Sequence, residues 1–242
     1  MTDRPILFSA PMVRALLDGR KTQTRRIINV EKFAETLAAY DHSGALKEYL
    51  PGKLGMEYVH RELGLWDAEI NPRGRSGWYV PIRFAVGDRL WVKETHACVG
   101  DADRWTLYRA SGYEAECDRH GFDKPYPAES KIKWKPSIFM RRALSRLTLT
   151  VNNVRIERLK DCSDADALAE GVEMESADPP FYYVPGIWPH SLTAVGVEEP
   201  GGRHATRSYA KLWNHINGVG AWEANPWVVA VSFDVRKGNI DG

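Results

Sequence analysis

The stretch from Leu147 to Leu159 restricts the fold more than any other part of the chain, because it is long and apolar on alternate residues. Alternation with a period of two is typical of a strand that buries one face. The apolar positions change phase between Val151 and Val154, and such a shift predicts a bulge or a turn within the strand. The fold is therefore expected to contain a sheet with one long, irregular strand.

Shorter segments add strands and brief helices. Strands are predicted over residues 22–28, 78–84, 89–95, 105–109 and 227–235. Helices are predicted over residues 10–18, 164–170 and 206–217, each followed or ended by a glycine, and the first two begin after a capping serine; residues 31–40 are compatible with another helix. Because helices and strands do not alternate regularly, we expect an α+β fold with a small barrel or a strongly curved sheet.

The composition is that of a folded, water-soluble chain. It has 242 residues, of which 43% are hydrophobic and 27% charged, and the absence of repeats and linkers predicts one domain over residues 1–242. No apolar run reaches the ~18–20 residues of a membrane span, and the first residues lack the pattern of a signal peptide. The three cysteines form no CxxC pair, which favours a reducing compartment. These features predict a cytoplasmic protein with no membrane partner.

Charges are segregated along the chain although the net charge is only +1. Residues 11–28 and 131–147 are basic, whereas residues 161–178 carry acids and no base. A single charged run is usually a solvated face. Two basic runs, the second of which contains Trp134 and Phe139, are also consistent with a nucleic-acid groove, since cations attract phosphates and aromatic rings stack on bases.

The densest polar cluster is the segment from Gly19 to Arg26, GRKTQTRR. The end of a helix accounts for part of it, because Gly19 permits a left-handed turn and cations interact favourably with a helix C-terminus. Lys21, Thr24 and Arg26, however, enter a strand that is predicted to join the core, where a charged side chain needs a partner. We therefore expect these side chains to face a cleft.

This segment, in LLDGRKTQTRR, resembles the G-x-K-x-x-T-x-R signature of ASCH domains, a branch of the PUA-like group of β-barrels. Three later segments resemble the remaining blocks of phage and prophage members, in the same order: VGDRLWVKET, SRLTLTVNNVRIERLKDCSDADALAEGV and LWNHINGVGAWEANPWVVAVSF. The resemblance implies a small PUA-like β-barrel with short flanking helices. Residues 29–76, 99–133 and 173–205 are then insertions relative to the minimal domain, and such insertions lie at the surface and often surround the site.

The resemblance also implies a function. Members of this group are associated with binding of RNA or modified nucleotides, and some small bacterial members remove the acyl group of N4-acetylcytidine. In that branch a lysine and a threonine of the signature act with a glutamate of a later helix, and Lys21, Thr24 and Glu170 stand at the matching positions. Burial or neighbouring arginines can make such a lysine a base, while the threonine is either the activated nucleophile or a group that positions water.

Two geometric expectations follow from strand alternation. Lys21 and Thr24 point to opposite faces of a fully extended strand, so they converge only if residues 19–22 form a turn. Glu94 shares a predicted strand face with apolar residues and is expected to point inward, where it would pair with Arg26 or Lys21 or contact the ligand.

Two other functions use the same residue types. One is a non-enzymatic module that binds single-stranded RNA or DNA; the other is a metal-independent ribonuclease, with Lys21 or Arg26 on the phosphate and Glu170 as base. Besides Glu94, the residues expected to contact substrate or nucleic acid are Arg20, Arg25, Arg26, Lys133, Trp134, Lys135, Arg141 and Arg142. His96, Cys98, Cys117 and His120 do not have the spacing of a zinc finger, and nucleotide-cofactor motifs are lacking, so no metal or cofactor is expected.

Overall fold

A computed structural model of the chain describes residues 2–28, 83–100, 105–177, 180–185 and 204–242. The strands in these segments are β1 (Asp3–Leu7), β2 (Gln23–Ile27), β3 (Arg89–Lys93), β4 (His96–Val99), β5 (Trp105–Tyr108), β6 (Leu147–Arg158), β7 (Glu173–Ala177), β8 (Pro180–Tyr183) and β9 (Trp227–Lys237). The α-helices are α1 (Ala10–Leu17), α2 (Tyr113–His120), α3 (Asp164–Ala169) and α4 (Ala205–Asn217). The described chain is thus a mixed α and β protein.

Five strands form the main sheet, in the order β1-β3-β6-β9-β2, and β4–β5 and β7–β8 form two separate antiparallel pairs. The long strands β6 and β9 lie next to each other and pair antiparallel from Leu147 opposite Lys237 to Arg158 opposite Trp227. The register of β6 shifts between Val151 and Asn153. The bulge that the sequence predicts at this point is confirmed.

The two edges of the main sheet approach each other without pairing. β1 runs parallel to β3, and β2 runs antiparallel to β9; in the described segments no backbone ladder joins β1 to β2. Arg26 Nη2 of β2 nevertheless donates a hydrogen bond of 2.8 Å to the carbonyl of Leu7, at the end of β1. The sheet therefore curves so that its edges meet at one side chain, and the described strands do not close a barrel.

Local sequence signals locate most of these elements. α1, α3 and α4 lie where helices are predicted, and α3 begins with a capping box in which Ser163 and Asp166 each satisfy the other's backbone amide. Strands β2, β3, β5, β6 and β9 also lie within a few residues of the predicted ones. The predictions over residues 29–76 and most of the strand predicted over 78–84 fall outside the described residues.

Four features were not predicted: β1, β4, α2 and the β7–β8 pair. β1 contains a proline and two charged residues, DRPIL, which is a weak strand signal. α2 lies within residues 99–133, the segment interpreted as an insertion. Its sequence, YEAECDRH, offers only a short apolar face, which is a weak signal for a helix. None of the helices in the described part of the chain has the length and apolar character that a bilayer crossing requires.

Candidate functional site

A tight turn after α1 places Lys21 before strand β2. Gly19 adopts φ +74°, a left-handed conformation that glycine takes at no steric cost. The amides of Arg20 and Lys21 both donate to the carbonyl of Ala15, at 2.9 and 3.0 Å. The turn required by strand alternation is therefore present, and the side chains of Lys21 and Thr24 line the same cavity.

The C-terminus of α3 brings a carboxylate to this turn. Glu170 ends the helix, and Gly171 follows at φ +103°, where a side-chain Cβ would lie 3.2 Å from the Cβ of Ala15 and 3.7 Å from that of Lys21. The amide of Thr22 donates to the last carbonyl of α3, that of Ala169, at 2.8 Å. A glycine after α3 thus lets the two chain segments pack closely.

Lys21 and Glu170 form a buried ion pair. Lys21 Nζ donates to Glu170 Oε2 at 2.6 Å and to the Glu170 carbonyl at 2.9 Å. Lys21 is 1% exposed and Glu170 is 3% exposed. The carbonyl contact lies at the C-terminal end of a helix, where the backbone dipoles favour a cation.

Burial lowers the pKa of Lys21; the Glu170 carboxylate acts in the opposite direction, and the guanidinium groups of Arg26 and Arg25 lower the pKa further. Such a lysine loses its proton more easily than one in water. This is the property that a general base of this type requires.

Arg25 holds Glu170 from the other side. Its side chain has no exposed surface, and its guanidinium lies 3.3 Å from Glu170 Oε1, 2.7 Å from Glu157 Oε1 and 3.4 Å from Asp166 Oδ2. Both oxygens of Glu170 therefore have a cationic partner, which fixes its rotamer. Arg25 also lines the cavity, and its guanidinium lies in the interior among carboxylates, so a phosphate contact by Arg25 would compete with these ion pairs.

Thr24 supplies a hydroxyl to the cavity that contains the ion pair. Its backbone pairs with Val231 of β9, which turns the side chain inward. The hydroxyl has no hydrogen-bond partner among the described residues. The cavity has a volume of about 240 Å³, below the range of roughly 300–1,000 Å³ that is typical for drug-sized ligands. A single ring with a small substituent matches this size better than a longer chain.

Apolar and aromatic side chains form the remaining walls. Phe8 and Met12 line the cavity from the α1 side, and Tyr209, Leu212 and Trp213 line it from α4. Burial raises the pKa of Tyr209 well above its ordinary value, and the neighbouring Glu170 carboxylate raises it further. Aromatic side chains on two sides suit a planar ligand.

The sequence does not identify these walls as functional. Trp213 belongs to the apolar face of the helix predicted over residues 206–217, a position that favours a packing role, and its 5% exposure is compatible with that role. Tyr209 carries the same signal. Only the register of α4 against the turn after α1 shows that this face borders a cavity.

The other two arginines of the motif differ in position. Arg26 lines the cavity, with its guanidinium carbon 5.2 Å from the centre of the Phe8 ring, as expected for a side chain that faces a cleft. Arg20 instead pairs at the surface with Asp18 at 2.8 Å and with Glu173 at 2.6 Å. A substrate contact by Arg20 would require these two ion pairs to open.

Glu94 belongs to a different cluster. It is 1% exposed, and its two carboxylate oxygens accept hydrogen bonds of 2.8 and 2.9 Å from Arg146. The guanidinium of Arg146 also stacks on the Tyr108 ring at 4.1 Å. The predicted pairing of Glu94 with Arg26 or Lys21 is therefore wrong, because both carboxylate oxygens are bound by Arg146, a residue of the second basic segment.

The residues of the second basic segment divide into two groups. Lys133, Lys135 and Arg141 are exposed. Trp134 is half-buried, and its indole Nε1 is enclosed. Arg142 pairs with Asp241 and, at 2.6 Å, with Asp3, so a phosphate contact by Arg142 would compete with two carboxylates.

No group of three or more histidine, cysteine, aspartate or glutamate side chains in the described segments is arranged to hold a metal ion. His96, Cys98, Cys117 and His120 do not form such a group. His96 Nδ1 instead lies 3.2 Å from the carbonyl of Glu94.

No family model, no curated protein and no solved structure matches this chain. The resemblance to ASCH domains therefore remains a prediction from the sequence blocks.

Proposed function

We propose that this cavity hydrolyses the N4-acyl amide of a modified cytidine. The observation that carries the proposal is the ion pair of Lys21 and Glu170, 2.6 Å apart and shielded from water, in the wall of a cavity that Thr24 also lines. A buried lysine with a lowered pKa, a hydroxyl without a partner and a carboxylate form a set that can activate an oxygen for attack on an amide.

The roles in this reaction follow from the contacts. Lys21 in its neutral form takes the proton of the attacking oxygen, which is either the Thr24 hydroxyl or a water molecule that Thr24 positions. Glu170 holds the lysine and relays its proton. The carbonyl carbon gains the oxygen, the bond to the exocyclic nitrogen breaks, and that nitrogen leaves with a proton. If the attacking oxygen is that of Thr24, the acyl group remains on Thr24 as an ester, which a water molecule then hydrolyses. Overall, one water is consumed and cytidine and a carboxylic acid are released.

Charge in the cavity wall favours the same reaction. Attack on a carbonyl carbon places negative charge on the carbonyl oxygen, and a fixed cation at that point lowers the barrier. Arg26 lies in the wall and is held by the Leu7 carbonyl at 2.8 Å. We assign to Arg26 the role of stabilising this oxygen or orienting the base.

The proposal includes the fold type and the location of the protein. The approach of β1 to β2 through Arg26, with the cavity lined from both edges, supports a PUA-like barrel of the ASCH type in a single domain that carries long insertions. The substrate class and the three cysteines without a CxxC pair are consistent with a cytoplasmic amidohydrolase that acts on a modified nucleoside.

Threonine variants provide a matched test. Thr24→Val removes the cavity hydroxyl and keeps the shape, whereas Thr22→Val removes an exposed hydroxyl two residues away. With N4-acetylcytidine as substrate, we expect Thr24→Val to lower kcat by about 10²- to 10⁴-fold and Thr22→Val to change it by less than about twofold.

Full activity of Thr24→Val would contradict the assigned role, and a wild-type protein without product would contradict the proposed reaction. Cleavage of unmodified RNA in the presence of a chelator would instead identify the metal-independent ribonuclease. Binding of nucleic acid without any turnover would identify the non-enzymatic module.

A further inference from the structure

The loop between α2 and β6 presents a group of cations that the cavity does not use. Residues 131–147 contain no acid. Two of the arginines in this segment are engaged with carboxylates, Arg142 with Asp3 and Arg146 with Glu94. The basic loop consists of the four remaining cations, all exposed and none in an ion pair with a described residue: Lys131, Lys133, Lys135 and Arg141.

An exposed aromatic ring lies between two of these cations in the chain, Lys135 and Arg141. Phe139 is 65% exposed and Ile138 is 58% exposed. Trp134, the residue that the sequence favours for stacking, is half-buried with its Nε1 enclosed, and the guanidinium carbon of Arg109 lies 5.7 Å from its ring centre. Phe139, and not Trp134, is the ring that a base can reach.

The basic loop is attached to the rim of the cavity. Lys93 Nζ donates to the carbonyl of Ile138 at 2.5 Å. Lys93 stands opposite Leu7 in the β1–β3 register, and adjacent strands lie about 4.8 Å apart. Leu7 is 40% exposed and lines the cavity. The loop therefore contacts Lys93, and the residue opposite Lys93 on the adjacent strand, Leu7, lines the cavity.

We propose that the basic loop binds a single strand of nucleic acid, with Phe139 stacked on a base and the loop cations on flanking phosphates. Charge complementarity identifies an anionic partner, because four cations without an ion-pair partner among the described residues lie in a segment, residues 131–147, that contains no acid. The exposed ring between Lys135 and Arg141 favours a strand with unpaired bases over a duplex, whose bases are already stacked. This surface would bring one nucleotide of the strand to the cavity.

Binding itself does not depend on the proposed hydrolysis; only the use of the bound strand as a substrate rests on the proposed function. The inference extends the substrate class from a free nucleoside to a modified cytidine within a strand. The bases on either side of it would lie outside the cavity, whose volume of about 240 Å³ is small.

The test measures fluorescence anisotropy of labelled, unmodified 12-nucleotide single strands, one of RNA and one of DNA, over a range of salt concentrations. We expect affinity to fall with salt, with a slope of about 0.7 per phosphate contact on a log–log plot. Lys133→Gln/Lys135→Gln should reduce the slope by about 1.4. Phe139→Ala should weaken binding by roughly 5- to 150-fold at every salt concentration, the effect of one stacked base. The two strands show whether the surface distinguishes RNA from DNA.

Lys124→Gln is the control, because Lys124 has a side chain that is 72% exposed and precedes the acid-free segment of residues 131–147. It should leave both affinity and slope unchanged. The exposure of Phe139 makes a folding defect in its alanine variant unexpected, and an unchanged Tm checks this point. Absence of strand binding by the wild-type protein at low salt, or equal binding by Phe139→Ala, would overturn the proposal. Binding to vesicles of phosphatidylserine and phosphatidylcholine but not to either strand would overturn it as well.

Hydrolysis of free N4-acetylcytidine separates this proposal from the previous one. Phe139→Ala should hydrolyse the free nucleoside at the wild-type rate, since the ring lies outside the cavity. If the labelled nucleic-acid strands bind as expected and the nucleoside is not hydrolysed, the binding surface is supported and the proposed reaction is contradicted. If the nucleoside is hydrolysed and no strand binds, the binding surface is contradicted and the proposed reaction is supported.

Discussion

Replacement of Glu170 by glutamine would leave the ammonium group of Lys21 buried without a counter-charge. The change removes the negative charge shared by the carboxylate oxygens that lie 2.6 Å from Lys21 Nζ and 3.3 Å from Arg25, and it leaves a neutral amide. Arg25 keeps the Glu157 carboxylate at 2.7 Å, but Lys21 keeps only neutral partners, which include the backbone carbonyl at 2.9 Å and the Phe8 ring at 5.7 Å. Removing one partner of a buried pair costs about 3–5 kcal/mol. At about 2–4 °C per kcal/mol for a chain of this size, Tm should fall by roughly 6–20 °C.

A double-mutant cycle isolates this effect. Lys21→Met leaves Glu170 with Arg25, so we expect a smaller loss, about 1–3 kcal/mol. The double variant Lys21→Met/Glu170→Gln contains no unpaired ammonium and should be more stable than Glu170→Gln alone by at least about 1.5 kcal/mol. The assay is urea denaturation followed by tryptophan fluorescence. Strict additivity of the two single changes would refute the reasoning, since it would mean that the two groups do not interact.

Three other outcomes are expected from the same site. Gly171→Ala should destabilise the fold by more than Gly112→Ala, as measured by Tm, because both positions have positive φ but only Gly171 would place its Cβ against neighbouring side chains, at 3.2 Å. Burial acts to raise the pKa of Asp166, but hydrogen bonds, of which that of Ser163 is the strongest, outweigh burial and lower the pKa to about 2. The stability that this carboxylate contributes above pH 4 should therefore be lost as the pH falls towards 2. In acid denaturation curves, Asp166→Asn should show a weaker decline than the wild-type protein. Burial lowers the pKa of Lys21 below its ordinary value of 10.5, so the unfolded chain binds the proton more tightly than the folded chain. The free energy of unfolding of the wild-type protein, relative to that of Lys21→Met, should therefore rise with pH up to about 10.5. A difference between the two proteins that does not change with pH in equilibrium unfolding would contradict this expectation.

Local signals explain why much of the fold could be predicted. Serine caps and terminal glycines mark α1 and α3, and alternation with a phase shift marks β6 and its bulge. β1 could not be found in this way, because it is stabilised by pairing with the distant strand β3. Asp3, for example, lies opposite Arg89, 86 residues later in the chain. The interior position of Arg25 was equally inaccessible, since its partners Glu157 and Glu170 are 132 and 145 residues distant.

The candidate site also combines a local feature that the sequence reveals with long-range contacts that it does not. Gly19 signals the turn that frees Lys21 from strand alternation, and this can be read locally. The contact of Lys21 with Glu170 spans 149 residues, and the sequence suggested it only through the resemblance to ASCH domains. Alternation correctly turns Glu94 inward but cannot say which cation it meets, and Arg146 was not among the expected partners.

The proposed chemistry is tested by comparing the rate at which the purified protein and its Lys21→Ala variant hydrolyse N4-acetylcytidine. The wild-type protein should release cytidine and acetate in equal amounts, with a rate that increases as Lys21 loses its proton. Lys21→Ala, with its native secondary structure verified, should be slower by at least about 10²-fold. Equal rates for the two proteins would show that the buried lysine is a structural ion pair and that the cavity has no hydrolytic role.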